Sequence, residues 1–246
     1  MQSLAAVRAG LAETALLGAT PPEFDLECPL MSLPAVFGTT VETVPWPGAY
    51  LGASPELTAE KRAQFPRSQL ERRLRVGFCW AGNPRYKADR QRSVQLAALL
   101  PLLRNPGIAW IALQKGPAAE QLAALPRDVF VFDGSSNDRD LAETAALIST
   151  LDLVITTDTC IAHLAGAMGK PVWILLPHLS DWRWMQQMET TPWYPAARLF
   201  RQRTPGDWDE VLRRVIRQLG ERRAAEQRPA ATETTRTFQT PQLIPG

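Results

Sequence analysis

The stretch Leu151 to Leu176, LDLVITTDTCIAHLAGAMGKPVWILL, constrains the fold more than any other part of the chain. LDLVIT is a short apolar run rich in β-branched residues, the composition of a strand buried on both faces. Asp158 stands where a helix N-cap belongs, directly ahead of TCIAHLAGAM. Gly169 supplies the C′ residue that ends such a helix, and Pro171 opens a second apolar run, VWILLP. Strand, turn, small-residue helix, turn, strand is a βαβ unit whose helix starts at the carboxyl edge of a parallel sheet. Open α/β sheets take ligands at that edge. The N–H groups of Thr159, Cys160 and Ile161, unpaired at a helix start, suit an anion, and the helix dipole adds roughly 0.3–1 kcal/mol.

The neighbouring sequence repeats the alternation. From Arg75, RVGFCW reads as a strand and SVQLAALLPLLRN as a helix, with Ser93 as N-cap and Leu96, Leu99, Leu100 and Leu103 on one face. IAWIALQ is a strand, AAEQLAAL a helix, VFVFD a strand, and DLAETAALIST a helix opened by Asp140. DWDEVLRRVIRQLGERRA is an amphipathic C-terminal helix with Asp207 as its cap. Strands alternating with helices predict a doubly wound parallel sheet over residues 75–223. Ahead of it, residues 1–19 read as a short amphipathic helix and FDLEC as a strand. VPWPGAYLGASPEL is a Pro- and Gly-punctuated loop, and residues 56–74 a charged linker helix. Residues 224–246 carry few large apolar side chains and read as a disordered tail.

Bulk properties narrow the function classes. A net charge of +2 argues against a nucleic-acid field. Three widely spaced cysteines exclude a zinc ribbon or disulfide scaffold and fit a reducing compartment. Two histidines leave little for a His-based metal site, so no metal is expected. No apolar run reaches membrane-spanning length. Arg8 and Glu13 interrupt the N-terminus, which makes a poor secretory signal, so a cytoplasmic protein is expected. No G-x-G-x-x-G follows any strand, which argues against a dinucleotide enzyme.

FDLECPLMSLP, VGFCWAGNP, DTCIAHLAGAMGKPVW, DWRW, PWYPAARLFRQ and GDWDEVL, in this order and spacing, resemble bacterial glycosyltransferases of family nine, the heptosyltransferase-like group. The resemblance is to the variety often fused to tetratricopeptide repeats, distantly similar to O-GlcNAc transferase, and spans roughly Phe24 to Leu219. It implies a GT-B fold, of which residues 75–223 form the C-terminal, Rossmann-like, donor-binding domain and residues 1–55 a truncated remnant of the N-terminal domain. It further implies transfer of a hexosyl or heptosyl group from a nucleotide-diphosphate sugar to an acceptor hydroxyl, inverting and independent of metal or other cofactor. The acceptor, a saccharide, lipid-linked sugar or protein, is left open. The catalytic base would come from a separate N-terminal domain or partner chain. Rival readings are a catalytically incomplete nucleotide-sugar-binding or protein-interaction module and a nucleotide-sugar epimerase.

The candidate site residues sit at strand ends. Asp158, Thr159, Cys160 and His163 open the small-residue helix, and Thr159 and His163 share one of its faces. Thr159 has a hydroxyl and an N–H for a phosphate oxygen, and His163 a ring N–H. The basic loop WAGNPRYKADRQRS offers Arg92 and Ser93, and positive charge there would stabilise a diphosphate leaving group. Gln114 is placed for a base or ribose and Lys115 for phosphate. Asp133 suits either a ribose hydroxyl or the cap of a turn. Cys79 and Cys160 read as small packing residues. Gly166 reads as close packing of helix on sheet, and Trp182, Trp184, Trp193, Tyr194 and Trp208 as packing of a connecting lid rather than a sugar platform.

Overall fold

A computed structural model describes residues 20, 23–66 and 73–227. Its centre is a six-stranded sheet: β1 (Leu74–Cys79), β2 (Ile108–Ala112), β3 (Val131–Asp133), β4 (Leu153–Thr157), β5 (Val172–Leu176) and β6 (Ala197–Arg201). Every pairing is parallel, in the order β3-β2-β1-β4-β5-β6. The chain leaves β1 for β2 on one side and reaches β4 on the other. That reversal opens a crevice at the carboxyl ends of β1 and β4. Sequence reading found the first five strands. It missed β6, because ARLFR carries two arginines, whose guanidinium groups reach outward over Phe200 and the loop while Leu199 and Phe200 are buried.

Strand residues alternate between two cores, as period-two geometry requires. Ile111, Val154, Ile174 and Leu199 pack on one face, under α2 (Leu141–Ser149) and α3 (Cys160–Ala167). Trp110, Ile155, Leu175 and Phe200 pack on the other, under the segment Leu96–Leu103 and α4 (Trp208–Gln227). Both faces of the central strands are covered, which is why they read as continuous apolar runs.

Capping follows sequence in two helices and departs from it in others. Asp140 Oδ1 accepts from the N–H groups of Ala142 (2.9 Å) and Glu143 (3.0 Å) at the start of α2. Asp207 Oδ1 accepts from Glu210 N–H at 3.0 Å at the start of α4. Gly169 ends α3 with φ +67°, a conformation that favours glycine. Ser93 opens no helix: it closes a short one (Asp89–Arg92), the chain runs extended to Gln95, and a 3₁₀ turn (Leu96–Leu99) leads into Leu100–Leu103. Pro101 explains the break, since its ring leaves no N–H to continue a hydrogen-bond ladder from upstream. AAEQLAAL is likewise 3₁₀ rather than α, over Pro117–Ala124.

Ahead of the sheet, FDLEC forms no strand; Phe24 and Leu26 are exposed, and no strand appears before Leu74 among the described residues. The expected linker helix is the helix α1 over Pro55–Ala63, capped by Ser54, and it docks on α2 rather than bridging open space. The rest of the expected linker, residues 67–72, the helix expected over 1–19, and residues 228–246 of the expected tail lie outside the described residues. Helix α4 runs to Gln227, past the expected boundary at 223.

Candidate functional site

A cleft of about 600 Å³ opens at the switch point, lined by the loops after β1, β2 and β4. One wall is the turn from β4 into α3. Here the expectation for Asp158 needs correcting. The N-cap is Thr159, with φ −139° and ψ 173°, and its Oγ1 accepts from Ile161 N–H at 3.3 Å. A threonine in extended backbone does what an aspartate one residue earlier cannot reach to do. The hydroxyl is also within 3.1 Å of Thr156 Oγ1, so it is used inside the protein rather than offered to a ligand. Ile161 N–H is therefore capped, and Ala162 N–H returns to Thr159 C=O at 3.0 Å. The N–H groups of Thr159 and Cys160 have no acceptor among the described residues. Asp158, released from capping, lines the cleft, and its carboxylate accepts nothing from the turn.

Cys160 lines the cleft and is exposed, contrary to the packing role expected of it. Cys79 is the packing cysteine: it is buried, and burial raises its thiol pKa to about 11. His163, one turn into α3, lines the cleft on the same helix face as Thr159. Its Nδ1 lies 3.0 Å from Tyr194 Oη, and its ring stacks on Trp184 at 5.1 Å. Burial lowers its pKa below the ordinary histidine value; Asp158 and Asp181 oppose that shift, and Arg183 adds to it.

The opposite wall, after β1 and β2, is built from side chains bracing main chain. Gln114 is buried, and its amide is fully engaged. Oε1 accepts from Trp80 N–H (3.1 Å) and Ala81 N–H (2.9 Å), and Nε2 donates to the C=O groups of Ala81 and Lys115 (both 3.0 Å). Gln114 therefore shapes the floor and has no amide group left for a base or ribose. Ser93, unlike Gln114, does not line the cleft: its Oγ accepts from Gly82 N–H (3.0 Å) and donates to Asp89 Oδ2 (2.9 Å). Arg92 does line it. Its guanidinium donates to Asp89 Oδ1 (3.1 Å) and across the cleft floor to Asp158 C=O (2.7 Å), and it lies over the Tyr86 ring. A Cβ on Gly82 would collide with Asp89 and Arg92, so that glycine admits the brace.

Lys115 lines the cleft and donates one hydrogen bond to Asp138 C=O at 2.6 Å, which leaves two ammonium donors. Asp138 is fixed in turn by Lys61 of α1, whose ammonium pairs with Asp138 Oδ1, and by Thr144, whose hydroxyl donates to Oδ2 at 2.9 Å. Lys61 and Asp138 are both buried. Asp133, expected at a ribose or a cap, takes the second role: Oδ1 accepts from Ser136 N–H at 3.2 Å, away from the cleft.

Arg92, Asp158 and His163 also line a second, more polar cavity of about 380 Å³, with Tyr86, Gln91 and Asp181. Of the aromatic residues, Trp184 is fully buried, as a packing role requires, while Trp182 is 56% exposed. Sequence reading missed Lys61, Asp138 and Tyr194. Lys61 looked like one charge among many on a solvated helix, and the contact of Tyr194 with His163 spans 31 positions.

A parallel β3-β2-β1-β4-β5-β6 sheet with its cleft at the switch point is a Rossmann-like α/β domain. Residues 137–199 match the family model for glycosyltransferase family 9 (heptosyltransferase), and the chain carries that family's fold. Protein FlbA of Caulobacter vibrioides is 31% identical over 185 residues, covering 73% of this chain and 30% of FlbA. The chain thus spans under a third of that relative. The E. coli ADP-heptose lipopolysaccharide heptosyltransferase II superposes with a TM-score of 0.54 at 20% identity, covering 77% of this chain and 58% of that one. A family 9 glycosyl transferase from Veillonella parvula gives 0.48 at 13% identity, covering 67% and 45%. Among the described residues no helix is long and apolar enough to cross a membrane, and no group of three or more His, Cys, Asp or Glu could hold a metal ion.

Proposed function

We propose that this chain supplies the donor-binding half of a glycosyltransferase that uses a nucleotide-diphosphate sugar. The observation that carries the reading is the pair of free amides, Thr159 and Cys160, facing Lys115 and Arg92 across the switch-point cleft. Amides at a helix start and two fixed cations complement a diphosphate. The same groups stabilise the charge that grows on the leaving nucleoside diphosphate as the glycosidic bond to phosphate breaks. They do so in place of a metal. The second cavity suits the glycosyl group, because the carboxylates of Asp158 and Asp181 accept from sugar hydroxyls. The acceptor hydroxyl would attack the anomeric carbon from the opposite side, with inversion, its proton taken by a base outside the described residues. The sugar is a hexose or heptose, the latter being the group for which the E. coli enzyme is named.

A second reading is a nucleotide-sugar-binding module without transfer activity of its own. Titration calorimetry against ADP, UDP, GDP and CDP tests the shared premise. Binding of one of them, lost in Lys115→Ala, supports the donor cleft; no binding at millimolar concentration rejects it. Release of free sugar from the matching donor, by the chain alone and with acceptor fractions, separates enzyme from module.

A further inference from the structure

His163 reaches into the cleft from α3, but its ring is held from behind. Nδ1 lies 3.0 Å from the Tyr194 hydroxyl, and Nε2 has no partner among the described residues. Tyr194 is itself wedged in place. A Cβ at position 166 would overlap its ring, so Gly166 exists to admit the tyrosine against α3, not to bring the helix closer to the sheet. Trp46 meets the same ring edge-on at 6.2 Å, and Trp184 lies against both Tyr194 and His163.

A hydrogen bond between a phenol and an imidazole nitrogen can run either way, and the two directions give His163 opposite chemistry. Intrinsic strength decides it: the phenol O–H is the stronger donor and the imidazole nitrogen the stronger acceptor, so O–H···N is the better pairing. On the donor-cleft reading the same direction turns an N–H rather than a lone pair toward the bound anion. We infer that Tyr194 is a positioning residue: it donates its hydroxyl proton to His163 Nδ1 and so fixes the tautomer that presents Nε2–H to the cleft. Burial raises the Tyr194 pKa and lowers that of His163, which keeps the phenol protonated and the imidazole neutral. The other groups acting on the ring are Asp158, Asp181 and Arg183, with Arg92 sharing its cavity. Tyr50, packed from the segment ahead of the sheet, is the competing partner for the Tyr194 hydroxyl.

The role as an anion donor rests on the donor-cleft reading; the tautomer does not. The chain has two histidines, and the other is an internal contrast. His178 Nδ1 lies 3.2 Å from Gln202 C=O, an acceptor, so its proton belongs on Nδ1. Long-range ¹H–¹⁵N spectra of the ring-labelled protein at mildly alkaline pH will show one Nε2–H histidine, assigned to His163 by His163→Gln, and one Nδ1–H histidine. Tyr194→Phe will turn the His163 pattern into a tautomer mixture, and Tyr50→Phe will leave it unchanged. With inorganic pyrophosphate as probe, Tyr194→Phe weakens binding about three- to tenfold, and adds nothing to His163→Ala. An Nδ1–H pattern for His163 in the unaltered protein overturns the inference, as does a Tyr194→Phe spectrum identical to it. If Tyr194→Phe fails to fold, the unaltered protein and Tyr50→Phe still decide the direction of the bond. An Nε2–H ring in a protein that does not bind pyrophosphate upholds the wiring and rejects the donor cleft.

Discussion

The two walls of the cleft reach the same end by different physics. The wall after β4 is main chain: a threonine cap turns the backbone so that two amides stay free. The wall after β1 and β2 is side chain: Gln114, Arg92 with Asp89, and Lys115 with Asp138 and Lys61 tie three loops together. A backbone wall is local and tolerates change in its side chains. A side-chain wall depends on buried polar partners from distant elements, and each must be satisfied.

Substitutions in the braced wall therefore carry the largest expected costs. Lys61→Met leaves the buried Asp138 carboxylate without its cation and costs about 3–5 kcal/mol in urea unfolding. A cost below about 1 kcal/mol would mean that the pair is solvated and the brace unimportant. Gln114→Leu keeps the volume but orphans the N–H groups of Trp80 and Ala81. It should lower stability by about 2–3 kcal/mol in the same measurement.

In the backbone wall the effects shrink and separate. Thr159→Val removes the cap and costs about 1 kcal/mol. The amides remain, so pyrophosphate affinity should fall no more than about twofold. If affinity collapses instead, the hydroxyl rather than the main chain makes the contact. The smallest effect concerns pH. The His163 pKa is lowered in the fold by burial, so the unfolded chain takes up that proton first. Its contribution is intact above the ordinary histidine value of about 6.5 and is lost as pH falls below it. Melting temperatures across that window should drop less in His163→Gln than in the unaltered chain, and equal slopes would show that the ring is solvated.

Legibility in the sequence followed the same division. The βαβ unit at Leu151–Leu176 was readable because strand, turn and helix are contiguous and periodicity reports them directly. The cap was misplaced by one residue, since Asp158 and Thr159 are both good caps and only backbone geometry chooses between them. Lys115 and His163 line the cleft because strand ends and helix starts define the sheet edge, which periodicity locates. Gln114 and Ser93 stand in the neighbourhood the sequence indicates, but their polar atoms are bonded within the protein. Residue type cannot show that their polar atoms are already consumed by Ala81 and Gly82. Lys61, Asp138 and Tyr194 left no local signal, because their partners come from other elements.

The central claim is that the amides opening α3 hold a diphosphate. Amide ¹H–¹⁵N chemical-shift mapping during titration with the nucleoside diphosphate that binds tests it most directly. The account predicts that the Thr159 and Cys160 amides move downfield together, with the Lys115 backbone responding beside them. A saturable ligand that leaves both amides unmoved would contradict it.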